Sequence, residues 1–170
     1  MTKGTPLAYL AGPALFSPEA GRLYAEMKKM CARHGLDGRS PLDDVALDAA
    51  TIRQLNQAKI RLADCVLADV GPFRGPNADD GTAWEMGYAE ALGKLVVPYT
   101  TDRRTYLDRA VWFLGAVRHL EGAPWEDMSG QAVEDFGLTC NLMLSAGPVP
   151  VQPDFESAAK LAAQRLRVGK

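Results

Sequence analysis

The sequence predicts an α/β fold, a doubly wound sheet of about five mostly parallel strands with helices on both faces. Three observations lead there. Short apolar runs of strand length end in Gly or Pro, stretches of helical period separate them, and the strand-helix-strand spacing requires parallel crossovers, which are right-handed.

The first strand is Leu7-Ala8-Tyr9-Leu10-Ala11, a compact apolar run closed by Gly12-Pro13. Ser17-Pro18-Glu19 starts a helix: serine caps free N–H groups, proline suits the first helical position, and Leu23, Met27, Met30 and Cys31 form an apolar stripe until Gly35 stops it. A short second strand is expected over residues 36–40. Residues 51–63 form the next helix, with Ile52, Leu55 and Ile60 inward, and lead into the central strand Cys65-Val66-Leu67-Ala68-Asp69-Val70. A loop rich in Gly, Pro, Asn and Asp spans 71–80, followed by a helix over 81–92, a stop at Gly93 and a strand over 94–99. Further on, 106–120 is expected to be helical, 121–137 loop-like and 141–145 a short helix. Pro148, Pro150 and Pro153 surround an edge strand, and 155–167 is a terminal amphipathic helix.

Composition narrows the chemistry. The 170 residues are expected to form a single domain, and a chain of this length buries roughly 70% of its unfolded surface. Nineteen Lys and Arg against 21 Asp and Glu give a net charge of -2, too balanced to favour a nucleic-acid duplex or an anionic membrane as partner; a neutral small molecule fits better. Cys31, Cys65 and Cys140 have neither disulfide-framework nor zinc-site spacing, so a reducing cytoplasm is the expected compartment. No run approaches the ~18 apolar residues of a spanning helix, and the amino-terminal residues lack a long apolar stretch, so a soluble, unexported protein is expected. His34 and His119 stand alone, which leaves catalysis to carboxylates, amides and hydroxyls.

Open parallel sheets bind ligands at the carboxyl ends of their strands, beside the point where strand order reverses. Candidate groups therefore come from residues 9–16 and from 72–85. Glu85 is the sharpest residue, a carboxylate in the first turns of a helix, on a stripe with Ala89 and Leu92 expected to face the core, and beside the small residues Gly81, Ala83 and Gly87. As a helix-start carboxylate it gains about 0.3–1 kcal/mol from the helix dipole. Alternatively it is a nucleophile, kept ionised by the helix N-terminus, that attacks an electron-poor carbon. Residues 87–94 do not have phosphate-loop spacing, and no G-x-G-x-x-G follows the first strand. Asp43-Asp44 and Asp79-Asp80 read as turn carboxylates rather than metal ligands.

Several pieces in order resemble the nucleoside 2-deoxyribosyltransferases: Tyr9-Leu10-Ala11-Gly12-Pro13 with Phe16, Ala63-Asp64, Pro72-Phe73-Arg74-Gly75, Asp79-x-Gly81-Thr82-Ala83-x-Glu85-x-Gly87-Tyr88-Ala89, and Asn141-Leu142-Met143. The resemblance runs from Tyr9 to Met143. It implies a flavodoxin-like fold, no cofactor and no metal, a place in nucleoside salvage, and exchange of the base of a 2'-deoxynucleoside by two displacements, with retention. Glu85 resembles the nucleophile that forms a covalent deoxyribosyl-enzyme. Tyr9 resembles the tyrosine that orients it, and is equally explained as a core aromatic. Asp79 resembles the sugar-binding aspartate, with an ordinary turn aspartate as the alternative. Asn141 resembles an asparagine donated by a neighbouring subunit, which implies a homo-oligomer; from the residues alone it reads as a helix cap. Gly12 and Met143 complete the implied substrate-binding set.

Asn56 departs from the family pattern. It stands eight residues before Asp64, where the family commonly has an aspartate that meets and protonates the base. An amide cannot supply that proton but can hydrogen-bond the base; a buried, satisfied polar side chain is the alternative. Phe16 reads as a base-stacking or core aromatic, and Arg74 as a closing or plain surface arginine. A nucleoside or nucleotide N-glycosidase and a non-catalytic nucleoside-binding module are the competing functions on the same fold.

Overall fold

The computed structural model describes residues 4–46, 48–115, 117–119 and 124–168. Strands β1 (Leu7–Ala11), β2 (Asp37–Arg39), β3 (Cys65–Asp69) and β4 (Leu95–Tyr99) form a parallel sheet in the order β2-β1-β3-β4. Its central strands are buried on both faces, which is why they read as continuous apolar runs. A fifth strand was expected among the late prolines. In its place Gln152 makes a single parallel bridge to Tyr99, donating to the Pro98 carbonyl at 2.8 Å and accepting from Thr100 at 3.0 Å. Pro150 and Pro153 on either side lack N–H donors, so no longer ladder forms.

Helices α1 (Ala20–Arg33) and α6 (Phe155–Val168) cover one face of the sheet, and α2 (Ala49–Leu62) and α3 (Asp80–Ala91) the other. The first core joins Leu10, Leu67, Val97 and Tyr99 to Tyr24, Phe155 and the alanines of α6; the second joins Tyr9, Val66 and Ala68 to Ile60, Met86 and Ala89. This is the doubly wound, flavodoxin-like arrangement, with the order reversal between β1 and β3.

Three local expectations change. Helix α1 begins at Ala20 rather than at Ser17, whose hydroxyl accepts from the Glu19 amide at 3.1 Å. Ile52 and Leu92 are exposed, because α2 meets the core only from its second turn and Leu92 caps the end of α3. The segment expected to be helical to 120 ends as α4 (Tyr106–Leu114) at Gly115, whose φ of 82° suits glycine. Beyond it, β5 (Val117–His119), β6 (Trp125–Asp127) and β7 (Ala132–Val133) form a small antiparallel sheet where a helix end and a loop were expected. The short helix α5 (Leu142–Ser145) is capped by Asn141. Among the described residues no helix is long and apolar enough to cross a membrane.

Candidate active site

The carboxyl ends of β1 and β3 lie side by side, and their following segments leave in opposite directions, toward α1 and toward α3. The crevice this opens is narrow at its floor. A Cβ on Gly12 would stand 2.9 Å from the Cβ of Asp69, and Gly12 has φ 154°, so glycine is required where the two strands end.

Tyr9 and Glu85 meet beside this floor. Tyr9 is fully buried in β1, on the face covered by α2 and α3, and its hydroxyl donates to Glu85 Oε1 at 2.6 Å. Glu85 lies one turn before Ala89, which packs on the sheet, so its side chain points inward at the level of the strand ends. Burial pushes its carboxyl up to about 7; the Tyr9 hydrogen bond opposes this, the negative charge of Asp79 adds to it, and the Lys59 ammonium opposes it. Burial thus outweighs the groups that favour the ionised form, and the Thr82 amide at the helix N-terminus is occupied by Asp79. Burial and the Glu85 charge hold the Tyr9 phenol far above its ordinary range, so it remains a donor.

The other expected residues divide into two groups. Asp79 caps α3, its Oδ2 accepting from the Thr82 amide at 2.8 Å and the Thr82 hydroxyl at 2.9 Å. Phe16, 49% exposed, stacks on Phe73 with centroids 5.1 Å apart, and Arg74 lies over both rings at 5.1 and 4.7 Å. Asn56 is partly buried on α2, one turn before Ile60, and its Oδ1 lies 3.5 Å from Lys59 Nζ. Met143 stands apart from this group, and Asn141 is bonded to Glu134 rather than to any of its members. Leu142 and Met143 line a groove with Gly93, Lys94 and Leu95 at the amino end of β4, the opposite edge of the sheet. The Asn141 amide donates to Glu134 Oε1 at 2.7 Å and accepts from the Met143 amide at 3.0 Å.

Comparison with known proteins agrees with the fold. The family described as Nucleoside 2-deoxyribosyltransferase matches residues 8–143. The chain belongs to the nucleoside 2-deoxyribosyltransferase family. A 2-desoxiribosyltransferase from Leishmania mexicana is 35% identical in sequence and superposes over 94% of this chain and 97% of its own with a TM-score of 0.77. An uncharacterized protein of Schizosaccharomyces pombe is 32% identical across 95% of this chain and 90% of its own length. A conserved protein from Enterococcus faecalis, 21% identical, shares the fold over 95% of this chain and 99% of its own, with a TM-score of 0.61.

The part matched to the 2-deoxyribosyltransferase family contains Tyr9, Gly12, Phe16, Asn56, Asp79, Glu85, Asn141 and Met143, and also residues that the sequence did not single out. Asp69 ends β3 against Gly12, accepting from the Gly71 amide at 2.9 Å, and burial raises its carboxyl above the ordinary range. A lone Asp ending an apolar strand was the signal for it. Arg109, 0% exposed, donates from α4 to the Val70 carbonyl at 3.1 Å and the Asp102 carbonyl at 3.1 Å, fastening the ends of β3 and β4. Lys59 pairs with Asp44 at 2.7 Å and donates to the Pro41 carbonyl at 3.3 Å. In sequence, nothing separates Lys59 from the other cations of α2. Among the described residues no group of three or more His, Cys, Asp and Glu side chains is placed to hold a metal ion.

Proposed function

We propose that this chain exchanges the base of 2'-deoxynucleosides through a covalent 2-deoxyribosyl intermediate on Glu85. The Tyr9–Glu85 hydrogen bond of 2.6 Å at the carboxyl edge carries the reading. It occupies Oε1, and among the described residues no donor is bonded to Oε2, which is left to act as nucleophile. In the first step the carboxylate oxygen bonds to C1', the C1'–N bond breaks, and its electron pair leaves with the base. In the second, a nitrogen of the incoming base attacks C1' and the Glu85–sugar bond breaks, restoring the carboxylate. Two inversions give retention, and the proton gained by the departing base is balanced by the one the incoming base loses.

Asp79 receives a sugar hydroxyl, Phe16 stacks on the base, Gly12 lets the sugar approach the floor, and Asn56 hydrogen-bonds the base in this scheme. The place of Met143 in a groove at the amino end of β4, away from Glu85, supports a contribution of Asn141 and Met143 to a neighbouring subunit's site in a homo-oligomer. Incubation with a deoxynucleoside and a second free base should yield the exchanged nucleoside, and intact mass should show a deoxyribosyl adduct that Glu85→Ala lacks. Base release without exchange would make the protein a hydrolase. An adduct persisting in Glu85→Ala would remove Glu85 as nucleophile. Light scattering giving a fully active monomer would remove the Asn141 assignment.

A further inference from the structure

Helices α2 and α3 both start at the carboxyl edge of the sheet and run antiparallel to its strands. On each, one polar side chain sits a turn nearer that edge than the residue packed on the sheet: Glu85 before Ala89 on α3, and Asn56 before Ile60 on α2. The two therefore face the same crevice from adjacent helices.

Lys59 lies on α2 beside Asn56, with a side chain only 12% exposed. Its ammonium is held from three sides, by Asp44 Oδ2 at 2.7 Å, the Pro41 carbonyl at 3.3 Å and Asn56 Oδ1 at 3.5 Å. The first two partners come from the segment after β2, so the ammonium is anchored independently of Asn56. An ammonium only donates, and an amide has one accepting end and one donating end. A fixed positive charge at 3.5 Å therefore orients the amide dipole, with Oδ1 toward Lys59 and Nδ2 away from it. Among the described residues no acceptor is bonded to Nδ2, so both of its hydrogens are left for a ligand.

We propose that Lys59 is a positioning residue that fixes the Asn56 amide as a donor toward the nucleobase, so that the site selects bases bearing an acceptor atom at that edge. The proposal rests on the base-exchange reading above. An acceptor on the base gains electron density as the C1'–N bond breaks, and an N–H held against it stabilises that density without transferring a proton. Lys59 thereby makes an amide useful in a position where a carboxylic acid would otherwise be needed. A base with a C–H or a weak acceptor there meets an unpaired donor and leaves more slowly.

The test measures exchange rates with natural bases and with analogues that weaken one acceptor at a time: 7-deaza- and 3-deazapurines, and 2-thiocytosine. The wild-type protein should disfavour one analogue by about tenfold against its natural counterpart. Lys59→Met should lose most of that ratio, because its amide is free to turn over, and Lys59→Arg should retain it. A role in folding alone would slow natural and altered bases by the same factor. An unchanged ratio in Lys59→Met, or no penalty for any analogue in the wild type, overturns the proposal and leaves base exchange standing. Absence of exchange with every natural base overturns both.

Discussion

Tyr9 Oη and Glu85 Oε1 stand 2.6 Å apart although 76 residues separate them in sequence. The contact exists because a buried strand and a helix two crossovers later end at the same edge of the sheet. The hydroxyl donates, so it favours the ionised carboxylate and opposes the upward push of burial. Tyr9→Phe removes this donor and raises the Glu85 pKa further. The acid limb of the pH–rate profile, expected near 7 for the native protein, should move to higher pH, while the rate at high pH recovers in part. An unmoved limb would detach the phenol from the ionisation of Glu85.

Asp79 acts on the same group with the opposite sign. Its negative charge raises the Glu85 pKa, so Asp79→Asn should shift the acid limb to lower pH. The asparagine oxygen can still accept from the Thr82 amide, so stability should change little, whereas Asp79→Ala should cost about 1 kcal/mol through the lost helix cap. Urea denaturation of the two variants beside their pH–rate profiles separates the charge from the cap. KM for the deoxynucleoside should rise in both, as the carboxylate is proposed to receive a sugar hydroxyl.

Glu85 should also shape stability against pH. Its folded pKa of about 7 lies above the ordinary value of 4.5, so the native state holds this proton more tightly than the unfolded chain. The stabilisation is complete below about 4.5 and is lost as pH rises through 7. Glu85→Gln, neutral throughout, should therefore be more stable than the native protein at pH 8, with the advantage shrinking toward pH 5. Thermal melts across that range provide the check, and a constant difference would contradict the assignment.

Gly12→Ala tests the crevice floor. A methyl 2.9 Å from the Asp69 Cβ must displace the end of β1 or β3, at a φ that disfavours side chains. A loss of about 1–3 kcal/mol is expected from the urea midpoint. Turnover should fall further than that of Gly87→Ala, where an added Cβ meets nothing within 4 Å.

The parts of the fold legible in sequence were those with a single strong cause. Strands β1, β3 and β4 are buried on both faces and could only be continuous apolar runs. Strands β5 to β7 were missed because they are two or three residues long and contain Arg118, Glu126 and Asp127; their pairing depends on tertiary context rather than pattern. Glu85 was legible as an inward carboxylate on a helix of small residues, and family resemblance tied it to Tyr9. Lys59 and Arg109 were not legible. Each lies in a helix where a cation is ordinary, and only the approach of other segments, Pro41 and Asp44 to Lys59 and Val70, Thr100 and Asp102 to Arg109, sets it apart.

Arg109 ties the rim of the crevice from outside the sheet. The strands of the parallel sheet are complete by Tyr99, yet the guanidinium that fastens the Val70 and Asp102 carbonyls arrives ten residues later, on α4. The loops that frame the crevice are thus held by a side chain that the sheet does not itself contain, so a change in α4 reaches the rim without touching a strand.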